Sequence, residues 1–257
     1  MDTRPVKDFS AAECQPFLLE GGRHGVVLLH GFTGSAGHMR PLGEALNAQG
    51  FTVRGINLPG HASSMEDMAR CTWQDWLQAA KSAVVEMKER CDRVSVAGLS
   101  MGGVLALLVA EQMQVAACVP ISAPMAVQNR LMPLARPASL FVKTIPWKGD
   151  PERAAMLDQR YDYGYPGFPT RTAADLSHLI RLARRNLHAV TCPLLAVQSH
   201  ADETISPDSA DVILRGVNSR KKGVLWLEEV PHVCTLSCEM GNIAKAMGEL
   251  LCEAERD

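Results

Sequence analysis

Ser100 stands in "GLSMGG" (98–103), with Gly98 and Gly102 two positions away on either side. A serine hydroxyl is a weak nucleophile near neutral pH. It attacks an acyl carbon when a base takes its proton and fixed N–H donors receive the charge that develops on oxygen. The pattern G-x-S-x-G does this chemistry only in a strand–turn–helix setting. Both flanks are present here. Val94 to Leu99 is short, β-branched and continuous, as in a strand covered on both faces. The run from Val104 to about Met113 is richer in Leu and Ala and repeats at helical spacing. The glycines remove two Cβ atoms where the chain must turn sharply.

The base and its orienting acid must come later in the chain, acid before histidine. Of eight histidines, only His232, in "PHVCTL", follows the last strand-like run, "GVLWLEEV". His178 and His188 lie in a proline-rich stretch, and His200 precedes the acid. His30 and His61 sit in turns upstream of the serine, while His24 and His38 read as exposed positions. The acid is expected in "HADETISP", after the strand-like "LLAVQS". Asp202 is the first candidate and Glu203 its rival, with Asp208 close by. Glu228 and Glu229 are too near His232 in sequence to reach round to its far nitrogen. Charge stabilisation needs two backbone donors. Met101, after the nucleophile, supplies one, and Phe32, in the glycine-rich "LLHGFTGS" (28–35), supplies the other. The Phe32 ring is also placed to form a wall beside the acyl group.

These residues need a scaffold, and the hydrophobic pattern describes one. Strand-like runs at 25–30, 52–57, 94–99, 116–122, 193–199 and 223–230 alternate with helical patterns at 39–50, 72–90, 209–217 and 242–254. In 72–90, Thr72 is expected to cap the helix, with Asp75 three residues on. Such alternation predicts an α/β fold, a mostly parallel sheet flanked by helices, with catalytic loops at the C-terminal strand ends. The rhythm breaks after Ser122. Residues 124–190 carry Pro124, Pro133, Pro137, Pro146, Pro151, Pro166 and Pro169, with a single strong helical pattern at 171–187. The core is therefore expected to comprise 1–123 and 191–257, with 124–190 a small helical cap. Leu131, Met132, Leu134, Leu140, Phe141, Val142, Ile145 and Trp147 are expected to give the cap an apolar underside facing Ser100. Such a bounded pocket would favour short-to-medium acyl chains. Phe32, Met101 and Trp147 are the expected substrate contacts.

The chain has 257 residues, 47% of them hydrophobic, and a net charge of −2, which gives no basic face for nucleic acid. No run of about 18 apolar residues spans a membrane, and the N-terminus has no apolar signal core. Eight scattered cysteines form no C-x-x-C pair. Cys234 and Cys238 lie near His232 without a second ligand cluster, so neither metal nor cofactor is implied. A reducing cytoplasm is the expected home, with the chain a monomer or weak homodimer acting on a small-molecule ester.

"HGFTGS", "LPGHA" (58–62), "GLSMGG" and "PHVCTL" together resemble the α/β-hydrolase superfamily, and within it the bacterial carboxylesterase and monoacylglycerol-lipase group. The resemblance runs from about residue 16 to the end and is weakest in the insertion. It implies a serine esterase with Ser100, Asp202 and His232 as triad, Phe32 and Met101 at the oxyanion positions, and a helical cap near "TWQDW" (72–76). It also implies that the family's early antiparallel strands are shortened here, since only "QPFLLEGG" precedes the first strong strand. Thioester, amide or C–C hydrolysis on the same fold, and a non-catalytic ligand receptor, are the competing readings. A haloalkane-type dehalogenase is disfavoured, because it needs a carboxylate where Ser100 stands.

Overall fold

The structure is a computed structural model and describes residues 7–126 and 135–254. Strands β1 (Phe17–Leu19), β2 (His24–Leu29) and β3 (Thr52–Ile56) open the chain, with helix α1 (Arg40–Asn47) between the last two. Helices α2 (Met65–Arg70) and α3 (Trp73–Lys88), strand β4 (Arg93–Leu99), helix α4 (Met101–Gln112) and strand β5 (Cys118–Ile121) follow. The next stretch holds α5 (Ala135–Ala138), β6 (Thr144–Pro146), α6 (Pro151–Ala155), β7 (Gly167–Pro169) and α7 (Thr170–Asn186). Strand β8 (Leu194–Ser199), helix α8 (Asp208–Gly216), strand β9 (Lys222–Leu227) and helix α9 (Met240–Ala254) close it.

The main sheet has seven strands in the order β1-β3-β2-β4-β5-β8-β9. All neighbours are parallel except β1, which runs antiparallel to β3. Among the described residues, the antiparallel edge is the three-residue strand β1. Among the described residues between β5 and β8 none adds a strand to this sheet; β6 and β7 pair with each other.

The period-2 alternation of a strand sends its side chains into two cores. On β2, Val27 and Leu29 join α3, α4, α7 and α8 on one face, while Val26 and Leu28 join α1 and α9 on the other. Helix α4 is buried from Met101 through Ala110, which explains why its sequence is apolar all round. It starts directly after Ser100, three residues before the apolar run that predicts it. At the start of α3, the Asp75 carboxylate accepts from the Thr72 backbone N–H and hydroxyl, both at 2.8 Å. This is the expected cap in which the acid reaches back over the first turn.

His24 and His38 are not exposed as expected: they are 4% and 7% accessible. The His24 Nε2 lies 2.9 Å from Ser95 Oγ, and His38 Nε2 lies 3.3 Å from Asp162 Oδ1. Each lies beside a polar side chain far away in sequence. Of the apolar residues expected under the insertion, Leu131, Met132 and Leu134 lie outside the described residues. Leu140, Phe141 and Val142 are exposed, at 77%, 89% and 49%, and are not among the residues that line the cavity with Ser100. The short turn between α5 and β6 carries them outward, beyond the reach of the sheet. Ile145 and Trp147, on and after β6, do line a cavity.

Candidate active site

The chain leaves β4 at Leu99 and enters α4 at Met101 with one residue between. That residue, Ser100, has φ 54° and ψ −117°, a left-handed conformation that side chains rarely adopt. The surrounding glycines explain how it is held. A Cβ on Gly98 would lie 2.2 Å from the Gly102 carbonyl, and one on Gly102 would lie 2.1 Å from the Leu29 carbonyl oxygen. The turn is therefore pressed against the end of β2, and only hydrogen fits at either position. The Ser100 N–H donates to the Ile121 carbonyl at 2.7 Å, fixing the turn to β5 as well. The half-buried Ser100 lines the cavity described below.

Two strands further along the sheet, the loops after β8 and β9 bring Asp202 to His232. The His232 Nδ1 lies 2.9 Å from Asp202 Oδ2 and 3.1 Å from Oδ1. The Asp202 Oδ1 also accepts the backbone N–H groups of Thr204 (2.9 Å) and Ile205 (2.8 Å). Burial alone raises this carboxyl, but electrostatic attraction to the His232 ring, the hydrogen bond with it and the two backbone donors outweigh burial and hold it below the usual carboxylate range. Asp202 is thus an ionised acceptor suited to keeping a proton on Nδ1 and leaving Nε2 free as a base. Glu203 does something different. Its Oε2 accepts the backbone N–H of His232 at 3.2 Å, and it does not meet the ring. The two adjacent carboxylates hold one histidine at two places.

The loop after β2 carries Phe32 and Thr33, the latter with φ 65°. Its anchor is His30, fully buried beneath it. The His30 Nε2 accepts the Leu58 N–H at 3.0 Å, so the ring proton sits on Nδ1 and is donated to the Gly31 carbonyl at 2.8 Å. Burial, and secondarily the neighbouring His61, push His30 well below its ordinary pKa, so the ring stays neutral and the loop anchor does not titrate near neutrality. His61, its ring 4.9 Å away, is lowered by burial to about 4.

These loops surround a cavity of about 880 Å³, inside the usual range for small-molecule sites. Ser100 and His232 both line it, with Phe32, Trp147, Phe168, Leu176 and Ile180 forming an apolar wall. Trp147 packs on Phe168 at 4.7 Å and on Phe32 at 6.4 Å between ring centres, and its Nε1–H donates to Thr33 Oγ1 at 3.1 Å. Met101 is not in this wall. Its side chain is fully buried in the core, which leaves only its backbone to face a substrate.

The sequence matches the family described as Hydrolase_4: serine aminopeptidase, S33, over residues 22–236. The chain belongs to this family. It is 34% identical over 232 residues to a thermostable monoacylglycerol lipase of Bacillus sp. (strain H-257), covering 86% of this chain and 88% of the relative. It is 29% identical over 239 residues to a carboxylesterase of Bacillus subtilis (strain 168), covering 92% and 96%. Among solved structures, a chain from work on LipS and LipT, two metagenome-derived lipolytic enzymes, superposes with a TM-score of 0.88 at 30% identity, over 94% of this chain and 98% of that one. The monoacylglycerol lipase of Paleococcus ferrophilus, at 17% identity and a TM-score of 0.77 over 93% and 98%, shares the fold. The architecture is the α/β-hydrolase fold.

Two groups in this hydrolase escaped the sequence reading. His30 and His61 are scaffold beneath the Phe32 loop, and the signal was there: each follows or closes a tight turn, in "LLHG" and "LPGHA". Tyr165 is the second. Its hydroxyl accepts the Ser63 N–H and donates to the Gly60 carbonyl, both at 2.9 Å, while its own N–H donates to the Thr33 carbonyl at 2.9 Å. It ties the segment before α7 to two core loops, over a hundred residues away, and no local pattern announces such a link.

Proposed function

We propose that this carboxylic ester hydrolase works through a Ser100–His232–Asp202 triad on short-to-medium-chain esters, monoacylglycerols among them. Residues 124–190 act as the cap over the site. Ser100 Oγ attacks the ester carbonyl as His232 Nε2 takes its proton. The backbone N–H groups of Phe32 and Met101 receive the oxyanion; as first residue of a helix, Met101 has no helical carbonyl to bond. When the tetrahedral intermediate collapses, the alkoxide takes the proton from His232 and leaves as the alcohol. Water then attacks the acyl-enzyme with His232 again as base, the carboxylic acid departs, and Ser100 is restored.

The observation that carries this reading is the Asp202–His232 hydrogen bond on loops beside a strained serine, with Ser100 and His232 on one cavity. The relatives named for ester hydrolysis favour an ester over an amide as the bond broken. The aromatic and aliphatic wall from Phe32 to Ile180 supports an apolar acyl group. Eight free thiols suit a reducing compartment.

A panel of p-nitrophenyl esters from C2 to C16, with monoacylglycerols beside them, tests the substrate class. Each buried methylene contributes up to ~0.8 kcal/mol, so kcat/KM should rise several-fold per two carbons until the cavity is filled and then fall. A maximum at C2, or a rise continuing through C16, contradicts a bounded apolar pocket.

A further inference from the structure

Glu203 lies beside the proposed acid, yet its carboxylate is turned to other work. Its Oε2 accepts the His232 backbone N–H at 3.2 Å and meets Arg153 Nη1 at 3.3 Å. Arg153 belongs to α6, in the cap. Its Nη1 also donates to the Ala201 carbonyl at 2.9 Å, so one guanidinium touches the acid loop twice. On its other side, Arg153 Nε lies 3.5 Å from Asp150 Oδ2. Asp150 in turn accepts the backbone N–H groups of Glu152 and Arg153 and so caps α6. A second tie runs in parallel: the Asp158 N–H of the cap donates to the Leu236 carbonyl, four residues after His232, at 2.8 Å.

We infer that Glu203 and Arg153 are positioning residues, a latch through which the seated cap fixes the backbone of the His232 loop. The inference rests on the triad assigned above. Asp202 sets the orientation of the imidazole, and the loop is tied on either side of His232, where the Val230 carbonyl accepts the Ser199 hydroxyl at 2.6 Å and the Leu236 carbonyl accepts the Asp158 N–H, but neither tie fixes the His232 backbone itself. Pro231 has no N–H, so the His232 N–H is the first donor available for fastening the loop where it turns into the site. Glu203 takes that donor, and Arg153 keeps Glu203 in place from above. Acylation needs Nε2 within hydrogen-bond reach of Ser100 Oγ, and small displacements of a catalytic group cost rate steeply. Glu203 and Arg153 line the same cavity as the apolar residues, so the split between kcat and KM separates positioning, which acts on kcat, from direct contact with substrate, which would also move KM. Glu203 and Arg153 side chains are 38% and 34% exposed, so solvent screens the ion pair and the effect is moderate.

The test is steady-state kinetics on a p-nitrophenyl ester with Glu203→Ala, Glu203→Gln, Arg153→Ala and the Glu203→Ala/Arg153→Ala double variant of the full chain. Melting temperatures are measured alongside. Glu203→Ala should lower kcat roughly 5–20-fold with KM within about twofold, as expected for loss of one charge-assisted hydrogen bond. Glu203→Gln keeps an oxygen acceptor for the His232 N–H and should recover kcat to within about threefold of the parent. Arg153→Ala should lower kcat by a smaller factor, and by less again once Glu203 is gone, when only its bond to the Ala201 carbonyl remains to be lost. An unchanged kcat in Glu203→Ala overturns the latch, as does an Arg153→Ala loss that is equally large without Glu203. If Glu203→Gln instead loses about 10³ or more while Asp202→Asn stays active, the triad assignment itself falls. Should Glu203→Ala fold poorly, the Gln variant and the Arg153 variant decide the matter alone.

Discussion

Ser100, Asp202 and His232 arrive from three loops, and the division of labour between neighbouring carboxylates is the finest distinction in the site. Asp202 is buried, charged and bonded to the ring; Glu203 is partly exposed and bonded to the main chain. The proposed mechanism therefore predicts that Asp202→Asn costs about 10³–10⁴ in kcat by favouring the wrong imidazole tautomer. Glu203→Gln should be far milder, and a reversed ranking in steady-state kinetics contradicts the assignment. This distinction could not be read from "HADETISP", where the two acids are adjacent and both precede His232. It depends on which carboxylate the turn after β8 aims inward. The same limit explains His24 and His38. Whether a histidine is buried depends on a partner such as Ser95 or Asp162, remote in sequence and joined to it only by the fold.

At the scale of elements, the turn from β4 into α4 was legible because its requirement is local. An apolar strand, one serine between glycines and an apolar helix leave few ways to build the junction. The alternation of strands and helices was legible for a similar reason, since period 2 and period 3.6 are written into each segment separately. Between β5 and β8 the helix expected at 171–187 was legible and is α7 (Thr170–Asn186), whereas the short pieces α5, β6, α6 and β7 carry too few residues each to show a period of their own. Leu140, Phe141 and Val142 look like wall residues by composition and turn out exposed. The elbow itself makes a prediction. Gly102→Ala would drive a Cβ to within 2.1 Å of the Leu29 carbonyl oxygen, a backbone atom that cannot swing away. Thermal unfolding should show a loss of at least roughly 1–3 kcal/mol, the usual range for overpacking, together with lost esterase activity. A variant with unchanged stability would mean the β2–elbow contact is looser than described.

Across the whole molecule, the loops that carry Phe32, Ser100, Asp202 and His232 gather at the C-terminal ends of the parallel strands, while one acid sits at the far end of α4. Glu111, at the end of α4, has both carboxylate oxygens buried without a hydrogen-bond partner, and burial raises its pKa to about 8. A carboxyl whose folded pKa lies above its unfolded value of 4.5 supports the fold fully below that value. Its contribution is lost as pH rises toward the folded pKa. Glu111→Gln should therefore melt increasingly above the parent protein between about pH 4.5 and 8, with little further divergence beyond. A melting difference that does not change with pH would show that Glu111 is ionised in the folded protein. In the proposed mechanism a single serine, Ser100, activated by His232, carries the chemistry. Intact mass after incubation with a serine-reactive fluorophosphonate tests it most directly. One adduct per chain is expected, located on the peptide containing Ser100, and none in a folded Ser100→Ala variant. An unlabelled parent protein that still hydrolyses esters, or labelling that persists undiminished in Ser100→Ala, would contradict it.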